Sequence, residues 1–302
     1  MGSLDGKTAA VTGAGQGIGR CEALALSAEG AHVVVNDVQL DGAEAVVAEI
    51  RSAGGSAEAH AGDISDWECG RQLIEQAVAH DGEFDILVCN AGIVRDRMIY
   101  NMSAGEWDAV MTVHLRGHFV PLRFAAAHWQ TRFKATGEAV DGRVITTTSE
   151  AGLYGHPGQA NYSAAKAGII GLTLTAAREL ERFGVTANVI SPRGRTPMTE
   201  SAFGDIRTEG DFDSWDPANV APWVIWLAGQ AAANVNGQVF VVYGGTVSWM
   251  SGWQTRDTIE QSATWTQADL QGFAAARLIP GLAATVDPFP QVVPGATAGD
   301  RK

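Results

Sequence analysis

The sequence predicts an α/β fold in which a parallel sheet carries helices on both faces. Short apolar runs alternate with amphipathic stretches through about the first 245 residues, which indicates successive strand–helix–strand units. The 36 glycines favour the same class, because most of them fall where a strand hands over to a helix. With 302 residues, 46% of them hydrophobic, the chain is long enough for one large core and an extension.

Five apolar runs of four to six residues have the composition of short buried strands. Between them lie stretches in which apolar residues recur with a helical period. The predicted strands cover residues 8–12, 31–36, 86–89, 144–148 and 185–190, and the predicted helices include residues 18–29, 42–53 and 67–79.

The composition changes after residue 245, which predicts a main domain of residues 1–245 and an extension of residues 246–302. The extension contains Trp249, Trp253 and Trp265, two helix-like stretches and, from about residue 280, a tail rich in proline and glycine. It has no strand pattern and is too short for an independent core. We therefore expect an appended helical cap followed by a loosely structured tail.

Charge and cysteine content exclude several classes of partner. The formal net charge is −13 and no run of lysine or arginine exists, so nucleic acid is not an expected partner. The three cysteines are odd in number and widely spaced, which predicts reduced thiols and no metal site. No apolar run has the length of a membrane span, and the N-terminus lacks the apolar core of a signal peptide, so a cytoplasmic location is expected.

A glycine-rich turn follows the first predicted strand, and a helix begins inside it. Its candidate cofactor contacts are Gly13, Gln16, Gly17, Ile18 and Gly19. Glycines let the backbone turn tightly and approach a pyrophosphate, while the start of the helix offers free N–H groups to the anion. A tight turn alone would also favour glycine, but the position at the start of a strand–helix–strand unit favours dinucleotide binding.

Asp37 ends the second predicted strand, where a carboxylate can accept hydrogen bonds from both hydroxyls of an adenosine ribose. Its charge repels a 2′-phosphate, and a neutral Gln16 occupies the place in the turn where a basic residue would hold that phosphate. The alternative is that Asp37 caps the helix that follows it. With the glycine turn upstream, the sequence predicts NAD in preference to NADP.

A second group of polar residues lies between positions 149 and 166. Tyr162 and Lys166 are four residues apart at the start of a predicted helix, so they share one face. An ammonium group beside a phenol lowers the pKa of the phenol, which lets Tyr162 exchange a proton with a substrate oxygen during hydride transfer. Ser149, at the end of a predicted strand, is placed to hydrogen-bond the same oxygen. An ordinary amphipathic helix also carries Tyr and Lys, but together with the nucleotide-binding turn the three residues predict an oxidoreductase for a secondary alcohol or ketone.

Five motifs match the short-chain dehydrogenase/reductase family in order and spacing. They are Thr12-Gly13-x-x-x-Gly17-x-Gly19, Asp63-Ile64, Asn90-Ala91-Gly92, Ser149 and Tyr162-x-x-x-Lys166. The chain resembles this family from residue 1 to about 245, which implies a doubly wound (Rossmann) sheet of about seven parallel strands. The resemblance also implies a catalytic Ser149, Tyr162 and Lys166, with Lys166 binding the nicotinamide ribose. Asp63 and Ile64 would flank the adenine, and residues 90–92 would border the nucleotide.

Two positions depart from the family pattern. The family usually has an asparagine that holds a water of a proton relay, where this chain has His114. His114 is a candidate proton relay, and the alternative is a packed helix histidine. The usual Pro-Gly after the sixth strand is Pro192-Arg193 here, with a shortened loop to Thr196. Pro192 and Thr196 are the corresponding candidate contacts to the cofactor.

Three segments are similar to the (3R)-hydroxyacyl-CoA dehydrogenase part of peroxisomal multifunctional enzymes and to bacterial stand-alone relatives. They are residues 113–117, 154–166 and 221–227. The similarity implies a 3-hydroxyacyl-CoA/3-oxoacyl-CoA substrate pair, with sterol side-chain thioesters among the candidates. The alternatives are a hydroxysteroid dehydrogenase and a 3-oxoacyl carrier-protein reductase, which would normally use NADPH and is disfavoured by Asp37. A non-catalytic nucleotide-sensing protein is disfavoured by an intact Ser149, Tyr162 and Lys166.

The loop after the sixth strand and the helix after Tyr162 suggest further partners. Arg193, Arg195 and Arg207 lie in the predicted substrate lid, where they would either meet coenzyme A phosphates or remain solvated. The helix is rich in small residues, which let another helix approach closely. The family resemblance implies a homodimer or homotetramer built through this helix and the long helix that precedes it, and the alternative is close packing on the protein's own sheet. The small residues are Ala164, Ala165, Ala167, Gly168 and Gly171.

Overall fold

The computed structural model describes residues 2–196, 212–255 and 257–278. Its centre is an eight-stranded sheet with the strand order β3-β2-β1-β4-β5-β6-β7-β8. The strands are β1 (Thr8–Thr12), β2 (His32–Asp37), β3 (Ser56–Ala61), β4 (Ile86–Cys89), β5 (Arg143–Thr147), β6 (Thr186–Arg193), β7 (Val239–Tyr243) and β8 (Thr246–Met250). The first seven pair in parallel, and the order reverses between β1 and β4, as in a doubly wound fold.

Helices connect the parallel strands. They are α1 (Gly17–Ala28), α2 (Leu40–Ser52), α3 (Trp67–Asp81), α4 (Ala104–Met111), α5 (Gly117–Thr136), α6 (Glu150–Tyr154), α7 (Ala160–Leu180) and α8 (Ala221–Ala228). A π-helical turn at Thr112–Arg116 joins α4 to α5. The predicted helices at 18–29, 42–53 and 67–79 correspond to α1, α2 and α3 within two residues at each end.

Two hydrophobic cores lie on opposite faces of the sheet. Val33 and Val35 of β2 pack into one core, with Leu26 of α1 and residues of α2 and α8. Val34 points to the other face, where α3, α5 and α7 cover the sheet around Trp129. Consecutive residues of the same strand are therefore all buried, which is why the parallel strands appear as continuous apolar runs in the sequence. This arrangement confirms the predicted α/β class with helices on both faces.

The edges of the sheet differ from the sequence prediction. The expectation that no strand follows residue 245 is wrong, because β8 pairs antiparallel with β7 over residues 246–250. Its side chains are mostly exposed, and Trp249 keeps 73% of its surface accessible, so the strand lacks the buried apolar pattern that would have revealed it. The sheet therefore has seven parallel strands and one antiparallel edge strand.

The chain divides into two compact units, residues 1–250 and 251–302. Within the second unit the structure describes one helix, α9 (Gln267–Phe273), which continues into a π-helical turn at Ala274–Leu278. Thr266 caps α9 and exchanges hydrogen bonds with Asp269. The predicted proline- and glycine-rich tail from about residue 280 lies outside the described residues. Among the helices described, none combines the length and apolar character needed to cross a bilayer.

Candidate active site

A cavity of about 530 Å³ opens at the carboxyl ends of the strands, where the strand order reverses between β1 and β4. Open α/β sheets bind their ligands at such a reversal of strand order. The cavity brings together all the residues predicted to act in catalysis and, apart from Gly19, all those predicted to bind the cofactor. These lining residues are Gly13, Gln16, Gly17, Ile18, Asp37, Asp63, Ile64, Asn90, Ala91, Gly92, His114, Ser149, Tyr162, Lys166, Pro192 and Thr196.

Gly19 lies behind the glycine turn and lets α1 pack against the ends of β1 and β4. A Cβ atom at this position would lie 2.5 Å from both Asn90 Nδ2 and the carbonyl oxygen of Gly13. The Asn90 amide donates to that same carbonyl at 3.1 Å, and the main-chain N–H of Asn90 donates to Thr12 Oγ1 at 3.0 Å. Gly19 and Asn90 therefore hold the shape of the turn.

The first turn of α1 has the free donors that an anion needs. Gln16 stands at the N-cap position but its side chain makes no capping hydrogen bond, and no acidic residue lies in the first turn. The first N–H groups of a helix have no partner within the helix, so these donors face the cavity side of the turn without a side-chain acceptor. By contrast, α3 is capped by Asp66 and α4 by Ser103. The start of α1 therefore fits a pyrophosphate group.

Asp37 closes the other side of the glycine turn. Its Oδ2 accepts from the N–H of Gly15 at 3.0 Å, and its Oδ1 accepts from the N–H of Gln39 at 3.0 Å. The alternative role as a helix cap is wrong, because α2 begins at Leu40 and its N-cap residue is Gln39. Asp37 lines the cavity, and the residues that follow it there, Val38 and Gln39, are uncharged. The carboxylate is thus held as an anionic acceptor at one end of the cavity.

Asp63 and Ile64 lie beyond the end of β3 and line the same end of the cavity. The carboxylate Oδ1 of Asp63 accepts from both the N–H and the hydroxyl of Ser65, at 2.9 and 2.7 Å. Ile64 is 3% exposed and belongs to the core beneath. The pair therefore forms a short, fixed wall with one polar and one apolar member.

Ser149, Tyr162 and Lys166 meet at the opposite end of the cavity. Ser149 follows β5 and is the N-cap of α6, where its Oγ accepts from the N–H of Ala151 at 3.2 Å. Tyr162 and Lys166 lie one turn apart on α7, and Ser149 lies close enough to the Tyr162 side chain to lower its pKa. The Nζ atom of Lys166 lies 5.6 Å from the centre of the Tyr162 ring and donates to the main-chain oxygen of Thr147 at 2.7 Å.

Burial dominates the acid–base properties of these residues. It raises the pKa of Tyr162 to about 12, although the hydrogen bond from Ser149 acts in the opposite direction. It also lowers the pKa of Lys166 to about 7. Lys166 is not among the groups that lower the pKa of Tyr162 here, and the expectation that it depresses that pKa during catalysis stays a prediction. Burial penalises the charged form of both groups, and a lysine with a pKa near neutrality carries little positive charge at alkaline pH.

His114 lies beside Tyr162 in the π-helical turn. The two rings meet edge to face at a centroid distance of 5.1 Å, and Nε2 of His114 lies 2.7 Å from the main-chain oxygen of Ile93. Among the described residues, Nδ1 has no hydrogen-bond partner. Burial, reinforced by Lys166, lowers the pKa of His114 well below its usual value, so the ring is neutral. Nε2 also lies 3.0 Å from the main-chain nitrogen of Ile93, so it either donates to the Ile93 oxygen or accepts from the Ile93 N–H, and Nδ1 takes the opposite role. Pi-helical turns are frequent at functional sites, and this one aims His114 into the cavity.

The arginines near the predicted lid already have acidic partners. Arg193 is the last residue of β6, and its guanidinium binds Glu150 through two hydrogen bonds of 2.6 Å. Arg195 pairs with Asp213 at 2.7 Å. Arg193 is thus not a solvated loop charge, since its Nε and Nη2 groups are engaged by a carboxylate, and the alternative contact with coenzyme A phosphates stays a prediction. Arg207 lies outside the described residues.

Sequence reasoning missed Asn161, which anchors the start of α7. Its side chain is fully buried, and the amide donates to the main-chain oxygens of Arg95 and Glu106, both at 3.0 Å. The Asn161 Oδ1 accepts from the N–H of Tyr162 at 2.8 Å. These contacts fix the position of Tyr162. The sequence signal for Asn161 was its position next to Tyr162. Its partners Glu106 and Arg95 are 55 and 66 residues away in the chain, so the sequence alone did not reveal these contacts.

Comparison with known proteins shows which family the chain resembles. Residues 7–206 match the family model described as short chain dehydrogenase. The chain is 55% identical over 258 residues to the hydroxyacyl-CoA dehydrogenase ChsB1 of Mycobacterium tuberculosis, an alignment that covers 82% of this chain and 80% of the relative. It is 39% identical to peroxisomal multifunctional enzyme type 2 of Mus musculus, over 81% of this chain and 32% of that longer protein. A crystal structure of a short chain dehydrogenase from Mycobacterium avium superposes with a TM-score of 0.84 at 47% identity, covering 92% of this chain and 96% of the other.

The chain therefore belongs to the short chain dehydrogenase family. It is an oxidoreductase that acts on the CH–OH group of its donor, as its relatives are named dehydrogenases and reductases. Enzymes of this family use a nicotinamide cofactor, NAD or NADP.

Proposed function

We propose that this protein is an NAD-dependent dehydrogenase that interconverts a 3-hydroxyacyl-CoA and a 3-oxoacyl-CoA. The observation that carries the chemistry is the meeting of Ser149, Tyr162 and Lys166 in one cavity whose far end is bordered by Asp37. The substrate class draws its support from the 55% identity to a hydroxyacyl-CoA dehydrogenase that aligns over 80% of its length.

Cofactor choice is supported by the charges at the nucleotide end of the cavity. The uncapped start of α1 would hold the pyrophosphate, and Asp37 would accept hydrogen bonds from the hydroxyls of the adenosine ribose. A 2′-phosphate would meet the Asp37 carboxylate, with the neutral Gln16, Val38 and Gln39 nearby and no cationic side chain among the cavity-lining residues at that end. These features favour NAD over NADP. Bound NAD supplies the acceptor for the hydride during alcohol oxidation.

The proposed reaction requires a base at the substrate hydroxyl. The C3–H bond breaks with both of its electrons, which leave as hydride, while the O–H proton passes to Tyr162 and a C3=O double bond forms. Ser149 donates a hydrogen bond to the same substrate oxygen and thereby orients it between its own hydroxyl and that of Tyr162. In the reverse direction Tyr162 returns the proton to the oxygen. The proximity of Ser149 to Tyr162 would let both hydroxyls meet one substrate oxygen.

Lys166 and His114 would assist the transfer of the proton to and from Tyr162. Lys166 Nζ is already held by the carbonyl of Thr147, which fixes the amine below the Tyr162 ring and leaves further donors for a ribose hydroxyl. His114 would exchange a hydrogen bond at Nδ1 with a water of the proton path, in place of the asparagine usual in the family. The position of His114 beside the cavity and the absence of another partner for Nδ1 among the described residues support this role, and the alternative of a packed histidine stays open because the ring is buried.

A spectrophotometric screen tests the proposal. Purified enzyme is assayed for NADH or NADPH formation with 3-hydroxyacyl-CoA esters of several chain lengths and with hydroxysteroids, and for NADPH oxidation with a 3-oxoacyl carrier protein. We expect the highest kcat/KM with a 3-hydroxyacyl-CoA and NAD. Faster turnover of a hydroxysteroid, or a preference for NADPH and an acyl carrier protein, would replace the proposed substrate. Inactivity with every alcohol would favour a nucleotide sensor.

We also propose a homodimer or homotetramer assembled through α5 and α7. On α7 a Cβ atom at Gly168 would meet Leu115, whereas one at Gly171 would meet no atom within 4 Å, so Gly171 lies on an open face. Phe119 of α5 remains 43% exposed. Light scattering after gel filtration tests the assembly, and a mass of one chain would contradict it. A cytoplasmic location stays a prediction.

A further inference from the structure

We propose that His32, Glu58 and His80 form a binding site for a divalent metal ion of the zinc class. The three side chains come from the first residue of β2, the middle of β3 and the last turn of α3. Their candidate ligand atoms all lie within 4.8 Å of one another. The cysteine spacing predicts no metal site. The three residues of this cluster are 22 to 48 positions apart, so no local sequence pattern reveals them.

The place of this cluster separates it from the active site. His32 begins β2, and Asp37, which borders the cofactor cavity, ends the same strand. The cluster thus lies at the amino ends of β2 and β3, and the cavity lies at their carboxyl ends. None of the residues that line the cavity belongs to the cluster. The proposed site is therefore additional to the machinery for hydride transfer.

His32 is presented as a metal ligand would be. Its ring is 6% exposed, and Nδ1 lies 2.7 Å from the hydroxyl of Ser56. A histidine that donates through Nδ1 leaves a lone pair on Nε2. Nε2 is buried without a hydrogen-bond partner among the described residues and lies 4.0 Å from Glu58 Oε1. A buried, unpartnered acceptor costs free energy unless something satisfies it, and metal-binding histidines characteristically donate their other N–H to a neighbour.

Glu58 is held in place by its other oxygen. Gln76 of α3 donates to Glu58 Oε2 at 3.0 Å and to the main-chain oxygen of Ala59 at 3.2 Å. This bond leaves Oε1 directed toward the histidine pair. The separation of 4.0 Å between His32 Nε2 and Glu58 Oε1 is too long for a hydrogen bond. Two ligands that each lie about 2 Å from a tetrahedral ion are about 3.3 Å apart, so the two atoms need to approach by less than about 1 Å to share an ion.

His80 completes the set from the exposed side. Its ring stacks on that of His32 with a centroid distance of 3.6 Å and an angle of 4° between the planes. The lone pairs of stacked rings lie in parallel planes and cannot both point at one ion between those planes, so binding requires the His80 ring to turn toward the ion. The exposed position of His80 at the end of the helix permits this. Two imidazoles and one carboxylate are the ligand set of many zinc sites, with water in the fourth position.

The surrounding charges suit a cation at neutral pH. Burial, and then His80, lowers the pKa of His32, so the ring is neutral and able to bind metal. Besides Glu58, Asp81 contributes negative charge at the cluster, while Arg51 contributes positive charge and is engaged by the main-chain oxygen of Ala57.

Calorimetric titration of chelator-treated, full-length protein with zinc chloride tests the proposal. We expect saturable binding of one ion per chain in the micromolar range. The variants H80Q and E58Q should bind at least about tenfold more weakly, and zinc should raise the Tm of the wild type but not that of H80Q. H156Q is the matched control, because it removes a histidine outside the cluster, and it should bind zinc as the wild type does. Cobalt(II) provides a second probe, through visible absorption that H80Q should abolish.

Three results would overturn the site: no saturable binding by the wild type, an H80Q variant that binds as the wild type does, or equal weakening by H80Q and H156Q. His80 is exposed, so H80Q is not expected to disturb folding, and it decides the matter if E58Q proves unstable. Dehydrogenase activity is not a readout here. Failure of the proposed substrate assignment would leave this test unaffected.

Discussion

The two ends of the cofactor cavity are built from different kinds of group. At the nucleotide end, main-chain N–H groups and one carboxylate set the shape, since Asp37 accepts from Gly15 and Gln39 around the glycine turn. At the reaction end, buried titratable side chains lie together. Burial raises the pKa of Tyr162 and lowers that of Lys166, so it favours the neutral form of both groups. The first end selects a ligand by fixed geometry and charge, and the second moves protons. Substitutions at one end should therefore change cofactor choice, and substitutions at the other should change rate and pH dependence.

The largest expected effect is that of Tyr162→Phe at the reaction end. Loss of the phenolic hydroxyl removes the proposed proton acceptor, so kcat should fall by about 10³-fold or more while the Kd for NADH changes little. Steady-state kinetics and fluorescence titration with NADH measure the two quantities. Tyr154→Phe is the matched control, because Tyr154 is an exposed tyrosine on α6. Retention of more than a tenth of wild-type kcat by Tyr162→Phe would remove the proposed chemistry.

Asp37→Ala should produce the next largest effect, confined to the nucleotide end. Removing the carboxylate costs the hydrogen bonds to the ribose and relieves repulsion of a 2′-phosphate. The ratio of kcat/KM for NAD to that for NADP should fall by about 10- to 100-fold. Asp41→Ala, which removes an exposed aspartate from the first turn of α2, should leave the ratio unchanged. An unchanged ratio in Asp37→Ala would show that cofactor choice is set elsewhere.

The rates of alcohol oxidation and ketone reduction should depend on pH in opposite senses, because both require proton transfer at Tyr162. Alcohol oxidation needs deprotonated Tyr162, and burial raises its pKa to about 12, so kcat/KM for oxidation should rise from pH 6 to 9. We expect a rise of at least about tenfold, with the rate of ketone reduction changing in the opposite sense. Initial rates in buffers of constant ionic strength measure both profiles. An oxidation rate that falls with rising pH would contradict a tyrosine base.

His114→Asn should have the smallest effect. It places the asparagine usual in the family in the π-helical turn, and an amide can replace the ring as a hydrogen-bond acceptor for a water. We expect kcat within about tenfold of the wild type, and a larger loss for His114→Phe, which has no acceptor. Burial lowers the pKa of His114, so its titration should not appear near pH 6.5. The pH profiles of the wild type and of His114→Asn should therefore both lack an inflection there that is due to residue 114. Two results would contradict the proposed role: a wild-type inflection near pH 6.5 that is missing in His114→Asn, or equal losses of kcat in His114→Asn and His114→Phe.

Sequence patterns predicted most of the sheet because the central strands are buried on both faces. The runs at residues 8–12 and 86–89 coincide with β1 and β4. The pattern did not reveal β3, whose sequence alternates alanine with Ser56, Glu58 and His60 and contains no apolar run. Its neighbour β2 supplies the pairing that makes it a strand. Periodicity detects strands that pack on both faces, and edge strands need knowledge of their partners.

The site could be predicted where function depends on local spacing. The glycine turn and the Tyr162–Lys166 pair are each contained in fewer than ten residues, so their residues could be assigned from the sequence alone. The acid–base state could not, because the pKa of Tyr162 follows from burial that only the packed structure supplies. The partner of Arg193 is likewise 43 residues away, and no local pattern predicts an ion pair at that distance.

The π-helical turn at Thr112–Arg116 affects more than His114. A π turn accommodates one residue more than an α turn, and each α-helical residue advances the chain by about 100° around the axis. The faces of α4 and α5 are therefore out of phase by roughly that angle, although the two helices are continuous along the chain. Single-residue deletions in this segment would bring the helices back into phase and rotate a whole face of one of them. This stretch of the protein should therefore tolerate changes of side chain far better than changes of length.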